Sequence, residues 1–196
     1  MAGTVRTAVL GLGGRGRYFC KMYAENPRSS LVAVCDRNPR ALDFARKKWG
    51  DRVRYYDDLD ALLRQRDVDA VIVATHDQDH AGSAVRVLSQ GKHCFLEKPM
   101  AQSIEDCDAI LDAATGSEGI LMVGYELRHC VLFEEMRRIL DRGDIGQVKL
   151  AWAVDNVSVG GNYFYHDAYR RREYVYSLLL QKGCHTIDLL NWFVGG

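Results

Sequence analysis

Short apolar runs alternate with helix-like stretches over the first two-thirds of the chain, and this alternation constrains the fold more than any other feature. Val5–Leu10 leads into a glycine-rich turn, and Leu31-Val-Ala-Val-Cys35 ends in Asp36. Ala70-Val-Ile-Val-Ala-Thr75 ends in His76, and His93–Leu96 ends in Glu97-Lys98-Pro99. Runs of this length without polar alternation suit strands buried on both faces, as in a parallel sheet. A weak strand is expected at Val53–Tyr56 and a further strand at Ile120–Val123. Helical spacing fills the gaps. Tyr18, Phe19, Met22 and Tyr23 mark one helix, stopped by Asn26-Pro27, and Asn38-Pro39 opens another with a stripe of Leu42, Phe44, Ala45 and Trp49, ended by Gly50. Further helices are expected from Asp57 or Asp58 to Arg64, from Gln78 to Gln90, and from a capping-box-like Ser103-x-x-Asp106 to about Ala114.

Strands and helices at this rhythm predict an α/β fold with a doubly wound parallel sheet of the Rossmann type, spanning residues 1–123. The pattern changes near Gly124. A helix over Leu132–Asp141, a longer strand over Ile145–Val154, a Gly- and aromatic-rich loop over Asn156–Tyr165 and a helix from Tyr174 to Phe193 read as the start of an α+β C-terminal domain, residues 124–196, for substrate binding or oligomerisation. One strand and two helices do not close a sheet, so the chain reads as truncated, with an exposed apolar edge at Leu150–Val154 and Leu178–Leu180.

Charge excludes some classes of partner. The 196 residues carry 26 basic and 26 acidic side chains, a formal net charge of zero, which argues against nucleic acid or an anionic membrane as partner. The Arg170-Arg171-Arg172 run, followed by Glu173, reads as a solvated segment. Six cysteines form no C-x-x-C pair and mostly lie in apolar runs, which suits reduced, buried thiols and a cytoplasmic protein. The first strand begins too early to leave room for a signal peptide, and no run approaches the ~18 apolar residues of a membrane span.

The first candidate site is the turn after Leu10. Gly11, Gly13 and Gly16 have G-x-G-x-x-G spacing, in which the glycines permit a tight turn, approach of a pyrophosphate, and close helix–strand packing. The phosphates would meet the helix N-terminus, where unpaired N–H groups and the positive end of the dipole point outward. Asp36, about twenty residues on, ends the second strand, where a carboxylate accepts ribose hydroxyls and repels a 2′-phosphate. NAD is favoured, and Arg37 keeps NADP open as a guanidinium beside the same ribose. His76 and His80 have the i, i+4 spacing of a zinc pair, but Asp77 replaces the glutamate of that motif, and the segment sits at a strand end where cofactors bind in this fold. No metal is expected, and His80 is read as lining the nicotinamide region or capping its helix.

Two residues carry candidate catalysis. Lys98, at the end of a buried strand, would place a cation by substrate, stabilising an alkoxide and exchanging its proton. Its plain alternative is a solvated lysine. Gln181, His185 and Asp188 share one side of an expected helix, and His185 suits proton transfer with Asp188 orienting it. The alternative is a core histidine satisfied by Asp188.

These motifs resemble the glucose–fructose oxidoreductase/inositol dehydrogenase (Gfo/Idh/MocA) family along essentially the whole chain. The resemblance rests on G-L-G-G-R-G, Asp36, A-T-H-D-Q-D-H-A, G-K-H-C-F-L-E-K-P, V-G-Y-E-L-R, G-D-I-G-Q-V and K-G-C-H-T-I-D-L-L-N-W. It implies an NAD(P)-dependent oxidoreductase that moves hydride between the nicotinamide and a secondary alcohol or ketone of a sugar or cyclitol, as a homo-oligomer if full length. Lys98 matches the lysine of E-K-P, and His185 matches the histidine that contacts substrate and relays the proton. The cofactor set comprises Gly11, Gly13, Gly14, Arg15, Gly16, Asp36, Arg37, Thr75, His80, Glu97 and Lys98. The family often has an aspartate where this chain has Gln181, and an aromatic and a proline where it has His129-Cys130-Val131. Rival readings are an NAD-dependent glycoside hydrolase of the same family, a non-catalytic nucleotide-binding regulator, and an inactive fragment.

Overall fold

A computed structural model describes residues 3–155, 171 and 175–195. The loop expected over Asn156–Tyr165 lies outside the described residues, as does the Arg170-Arg171-Arg172 run apart from Arg171. Two compact units divide the chain, Met1–Val123 and Gly124–Gly196.

In the first unit the apolar runs become strands β1 (Val5–Leu10), β2 (Ser29–Cys35), β3 (Arg54–Tyr56), β4 (Ala70–Val73), β5 (His93–Leu96) and β6 (Leu121–Val123). They form one sheet in the order β3-β2-β1-β4-β5-β6, with every neighbouring pair parallel. Helices α1 (Gly14–Glu25), α2 (Pro39–Trp49), α3 (Leu59–Leu63), α4 (His80–Ser89) and α5 (Ile104–Thr115) connect them. The strands lack polar alternation because both sheet faces are covered. Ala8, Leu10, Val71, Val73, Cys94 and Leu96 pack with Leu62, Val87, Leu88 and Ile110, whereas Val9, Val34 and Ile72 pack with Phe19, Cys20, Leu42 and Ala45. Alternate residues of one strand therefore serve opposite layers, as the two-residue period requires. This is the doubly wound Rossmann architecture, and the order of strands reverses direction at β1/β4.

Side-chain caps set the helix starts. Asn38 accepts from the Arg40 amide with Pro39 in the first turn, Asp58 from the Ala61 amide, and Ser103 from the Asp106 amide. Helix α1 differs, since its N-cap is Gly13 and no side chain caps it. Burial pushes the thiols of Cys20, Cys35 and Cys94 up to about 12, so they remain protonated at neutral pH. One residue of the expected α2 stripe faces outward. Phe44 is 45% exposed and lies under the Arg17 guanidinium, while Ala41 takes the inward position.

The second unit contains a 3₁₀ turn at Glu126–His129, helix α6 (Val131–Asp141), a π-helical turn at Leu179–Gly183 and helix α7 (Cys184–Val194). The strand expected over Ile145–Val154 does not form. A strand needs a hydrogen-bonding neighbour, and no ladder includes these residues among those described; Leu150 and Trp152 are 82% and 76% exposed. The expected final helix is α-helical only from Cys184, because the π turn interrupts its register. Among the described residues no helix is long and apolar enough to cross a membrane.

The tightest backbone approach in the Rossmann unit is at Gly16. A Cβ there would lie 1.7 Å from the Gly11 carbonyl oxygen, a backbone atom that cannot swing aside. Gly16→Ala is expected to destabilise the unit by at least about 2 kcal/mol, as other overpacked sites do. Thermal denaturation should show a midpoint lowered by roughly 5–10 °C. An unchanged midpoint would mean that α1 does not pack on the turn as described.

Candidate nucleotide-binding and proton-transfer sites

Because all strands are parallel, the turns that follow β1, β2, β4 and β5 lie along one sheet edge. The glycines after β1 have separate causes. Gly11 has φ +89°, and a Cβ would sit 2.6 Å from the Ala74 carbonyl oxygen, so conformation and packing both demand glycine. Gly13 has φ −65° and ψ −166°, a backbone any residue adopts, and no atom lies within 4 Å of where its Cβ would be. Among the described residues nothing requires glycine there. The space it leaves open adjoins the first turn of α1, which has no capping side chain and no acidic residue. Gly14 likewise meets nothing within 4 Å. An uncapped helix N-terminus beside a clear approach fits a pyrophosphate.

Asp36 is more embedded than a surface turn residue. Its Oδ2 accepts from the Leu12 amide at 2.6 Å, and its Oδ1 accepts from the Asn38 amide at 2.8 Å. The carboxylate thus braces the glycine turn against the end of β2 while keeping lone pairs for further donors. Arg37 points to Asp79, with Nη2–Oδ2 at 2.5 Å. That pairing engages the guanidinium next to Asp36 in the chain.

The ends of β4 and β5 hold a second group of polar side chains. Glu97 is 5% exposed, and its Oε1 accepts from Arg15 Nε at 2.8 Å. Arg15 also lies over the Phe19 ring at 5.1 Å, so the two expected cofactor residues Arg15 and Glu97 tie α1 to the end of β5. The other Glu97 oxygen accepts from the Lys98 amide at 3.1 Å. His80 is 1% exposed, and its Nδ1 is 2.7 Å from the Pro99 carbonyl oxygen, an arrangement that makes Nδ1 the protonated nitrogen. Among the described residues its buried Nε2 and the buried Thr75 Oγ1 have no hydrogen-bond partner. Burial pushes the Asp77 carboxyl above its ordinary range, against the pull of the charges on His80, Lys98 and His76. His76 is exposed and His80 buried, so the i, i+4 histidines do not converge. Among the described residues no cluster of three or more His, Cys, Asp or Glu side chains is placed to hold a metal.

In the second unit His185 is 5% exposed on the first turn of α7. Its Nε2 is 3.8 Å from Glu126 Oε2, and the Tyr125 ring meets it edge-on at 6.1 Å. Asp188, the expected orienter, instead receives a two-pronged guanidinium from Arg128, at 2.7 and 2.6 Å. Gln181 is buried on the π turn rather than one α-helical turn before His185. The sequence gives no local sign of the roles of Asp79, Glu126 and Arg128, whose partners lie 42, 59 and 60 residues away in the chain.

A glycine cradle at a helix N-terminus, with a carboxylate at the end of β2 and both at the switch point of a doubly wound sheet, defines a dinucleotide-binding Rossmann domain. Residues 5–125, more than half of the chain, match the Gfo/Idh/MocA model of the oxidoreductase family with an NAD-binding Rossmann fold, and the chain belongs to that family. It is similar to an inositol 2-dehydrogenase of Rhizobium meliloti, at 34% identity over 75% of this chain and 44% of that protein. The Salmonella typhimurium inositol 2-dehydrogenase is 26% identical over 97% of this chain and 55% of that protein. Scyllo-inositol dehydrogenase of Lactobacillus casei, solved with NAD(H) and scyllo-inositol bound, superimposes with a TM-score of 0.87 at 26% identity, covering 98% of this chain and 56% of that one. The chain thus spans about half the length of the relatives it matches.

Gly13 provides a sharp test of the cradle. Gly13→Ala should leave the thermal midpoint close to native, since the added methyl meets no protein atom and the change of N-cap costs less than about 1 kcal/mol. NAD affinity, measured by isothermal titration calorimetry, should fall at least about tenfold, the equivalent of 1.4 kcal/mol. Unaltered affinity would place the pyrophosphate elsewhere.

Proposed function

We propose that this chain is an NAD-dependent oxidoreductase that interconverts a secondary alcohol and a ketone on a cyclitol or sugar. The observation that carries the reading is the open cradle at Gly13 and Gly14 in front of the uncapped α1 N-terminus, a geometry suited to a phosphate-bearing ligand. Family membership and the inositol dehydrogenases among the relatives support the substrate class. Asp36, with Arg37 already paired to Asp79, supports NAD over NADP.

The bound nicotinamide supplies the hydride acceptor or donor. The roles of the protein residues follow from their surroundings. The first-turn amides of α1 and the Gly13 backbone bind the pyrophosphate, and Asp36 orients the ribose. Lys98 follows directly on Glu97, whose carboxylate is engaged with Arg15 and the Lys98 amide, and the next carbonyl is fixed by His80. A lysine on so braced a turn is pre-set to stabilise negative charge on a substrate oxygen. His185, buried against Tyr125 and facing Glu126, is the group that takes or returns the hydroxyl proton.

Lys98→Ala is the direct test. With NAD⁺ and myo-inositol or scyllo-inositol as probes, turnover should fall about 10²- to 10³-fold, the usual loss for an electrostatic group at a developing oxyanion. NAD binding by calorimetry should stay within about twofold of native. Undiminished turnover would refute the role of Lys98.

A further inference from the structure

His185 needs a titratable partner if it is to move a proton repeatedly from a buried position, and Gln181 is not ionisable. Among the described residues, Asp188 follows His185 on the same helix and Glu126 approaches the ring. Asp188, one turn further along α7, gives both of its oxygens to Arg128. Glu126 places Oε2 3.8 Å from His185 Nε2. The side chain of His185 is 6% exposed and that of Glu126 is 47% exposed, so Glu126 reaches from the buried ring to solvent.

Arg128 is matched by Asp188, and Lys182, on the π turn, lies 3.6 Å from Asp155. Tyr125 presents its ring edge-on, Cys184 Sγ donates to the Gln181 carbonyl, and His129 ends the 3₁₀ turn that starts at Glu126. The Arg128–Asp188 fork has a further consequence. It anchors the 3₁₀ turn to α7 two residues from Glu126, which holds the glutamate on the histidine side of the helix.

The geometry points to Glu126 as the carboxylate partner of His185, holding the imidazole in place, favouring its protonated form and passing its proton to water. This rests on the proposed oxidoreductase reading for the origin of the proton. The substrate hydroxyl O–H bond breaks and an N–H bond forms on His185. That N–H bond then breaks as an O–H bond forms on Glu126, and the carboxyl releases the proton to solvent. Only protons move in these steps. At 3.8 Å the second transfer needs one bridging water or a small side-chain rotation, adjustments common when a site closes on its substrate. Glu126 is therefore a positioning and relay residue, acting through His185.

The test compares the native chain with Glu126→Gln and Glu126→Asp, using His185→Gln to assign the His185 ring signals by NMR. In Glu126→Gln the midpoint of the His185 ring titration should fall by about 0.5–1 pH unit, as expected on removing one nearby, partly solvated opposite charge. Glu126→Asp should restore at least half of that shift, and NAD affinity should be unaltered in both. In turnover with NAD⁺ and myo-inositol, the limb of the kcat/KM–pH profile that belongs to His185 should move by the same amount. An unmoved ring titration in Glu126→Gln overturns the pairing, and a moved titration with an unmoved pH–rate limb overturns the relay. If the native chain turns over no inositol, the oxidoreductase reading fails, and the ring titration still decides the pairing.

Discussion

The contact between Gly16 and the Gly11 carbonyl is the constraint on which the Rossmann unit depends. It lets α1 start almost on top of β1, with a Cβ-to-oxygen distance of 1.7 Å that no other residue could tolerate. That closeness brings the first-turn amides of α1 to the sheet edge at the switch point between β1 and β4, where the chain leaves room for a ligand. Gly11 completes the turn with a positive φ against Ala74, and Gly13 leaves the approach open. Three glycines in one motif thus answer to different demands: backbone conformation, backbone–backbone packing and, on the proposed reading, space for a ligand.

Polar contacts then lock the neighbouring strand ends to this turn. Asp36 draws the Leu12 amide toward the end of β2, Arg15 crosses to Glu97 at the end of β5, Arg37 crosses to Asp79, and His80 holds the Pro99 carbonyl. Each joins segments separated in sequence, so the edge is braced laterally as well as along each strand. Glu97 is almost wholly buried, and an unpaired carboxylate there would be strongly disfavoured, so Arg15 and Glu97 are best understood as one unit. Their shared effect is to present Lys98 from a fixed backbone.

Much of the fold was legible because its signals are local. Wholly apolar runs such as Ala70–Val73 can be recognised as doubly covered strands, and Asn38-Pro39 or Ser103 as helix starts, from a few adjacent residues. The strand expected at Ile145–Val154 failed because strand formation depends on a partner, which a single segment cannot reveal. Spacing also encodes the turn, where Gly11 and Gly16 meet close backbone and Asp36 braces the Leu12 amide. Asp188 looked like the orienter of His185 by helical spacing, yet Arg128, sixty residues earlier, takes it. A π turn then removed Gln181 from the α-helical register. Long-range pairing and an unusual helical turn leave little trace in local pattern.

On the proposed reading this edge cradles NAD, with Asp36 both holding the turn and selecting the ribose. Calorimetric titration of the chain with NAD⁺ and with NADP⁺ tests it most directly. NAD⁺ should bind at least about tenfold more tightly, a difference of 1.4 kcal/mol, because a 2′-phosphate would face the Asp36 carboxylate while Arg37 is held by Asp79. Equal affinity, or tighter binding of NADP⁺, would contradict the account.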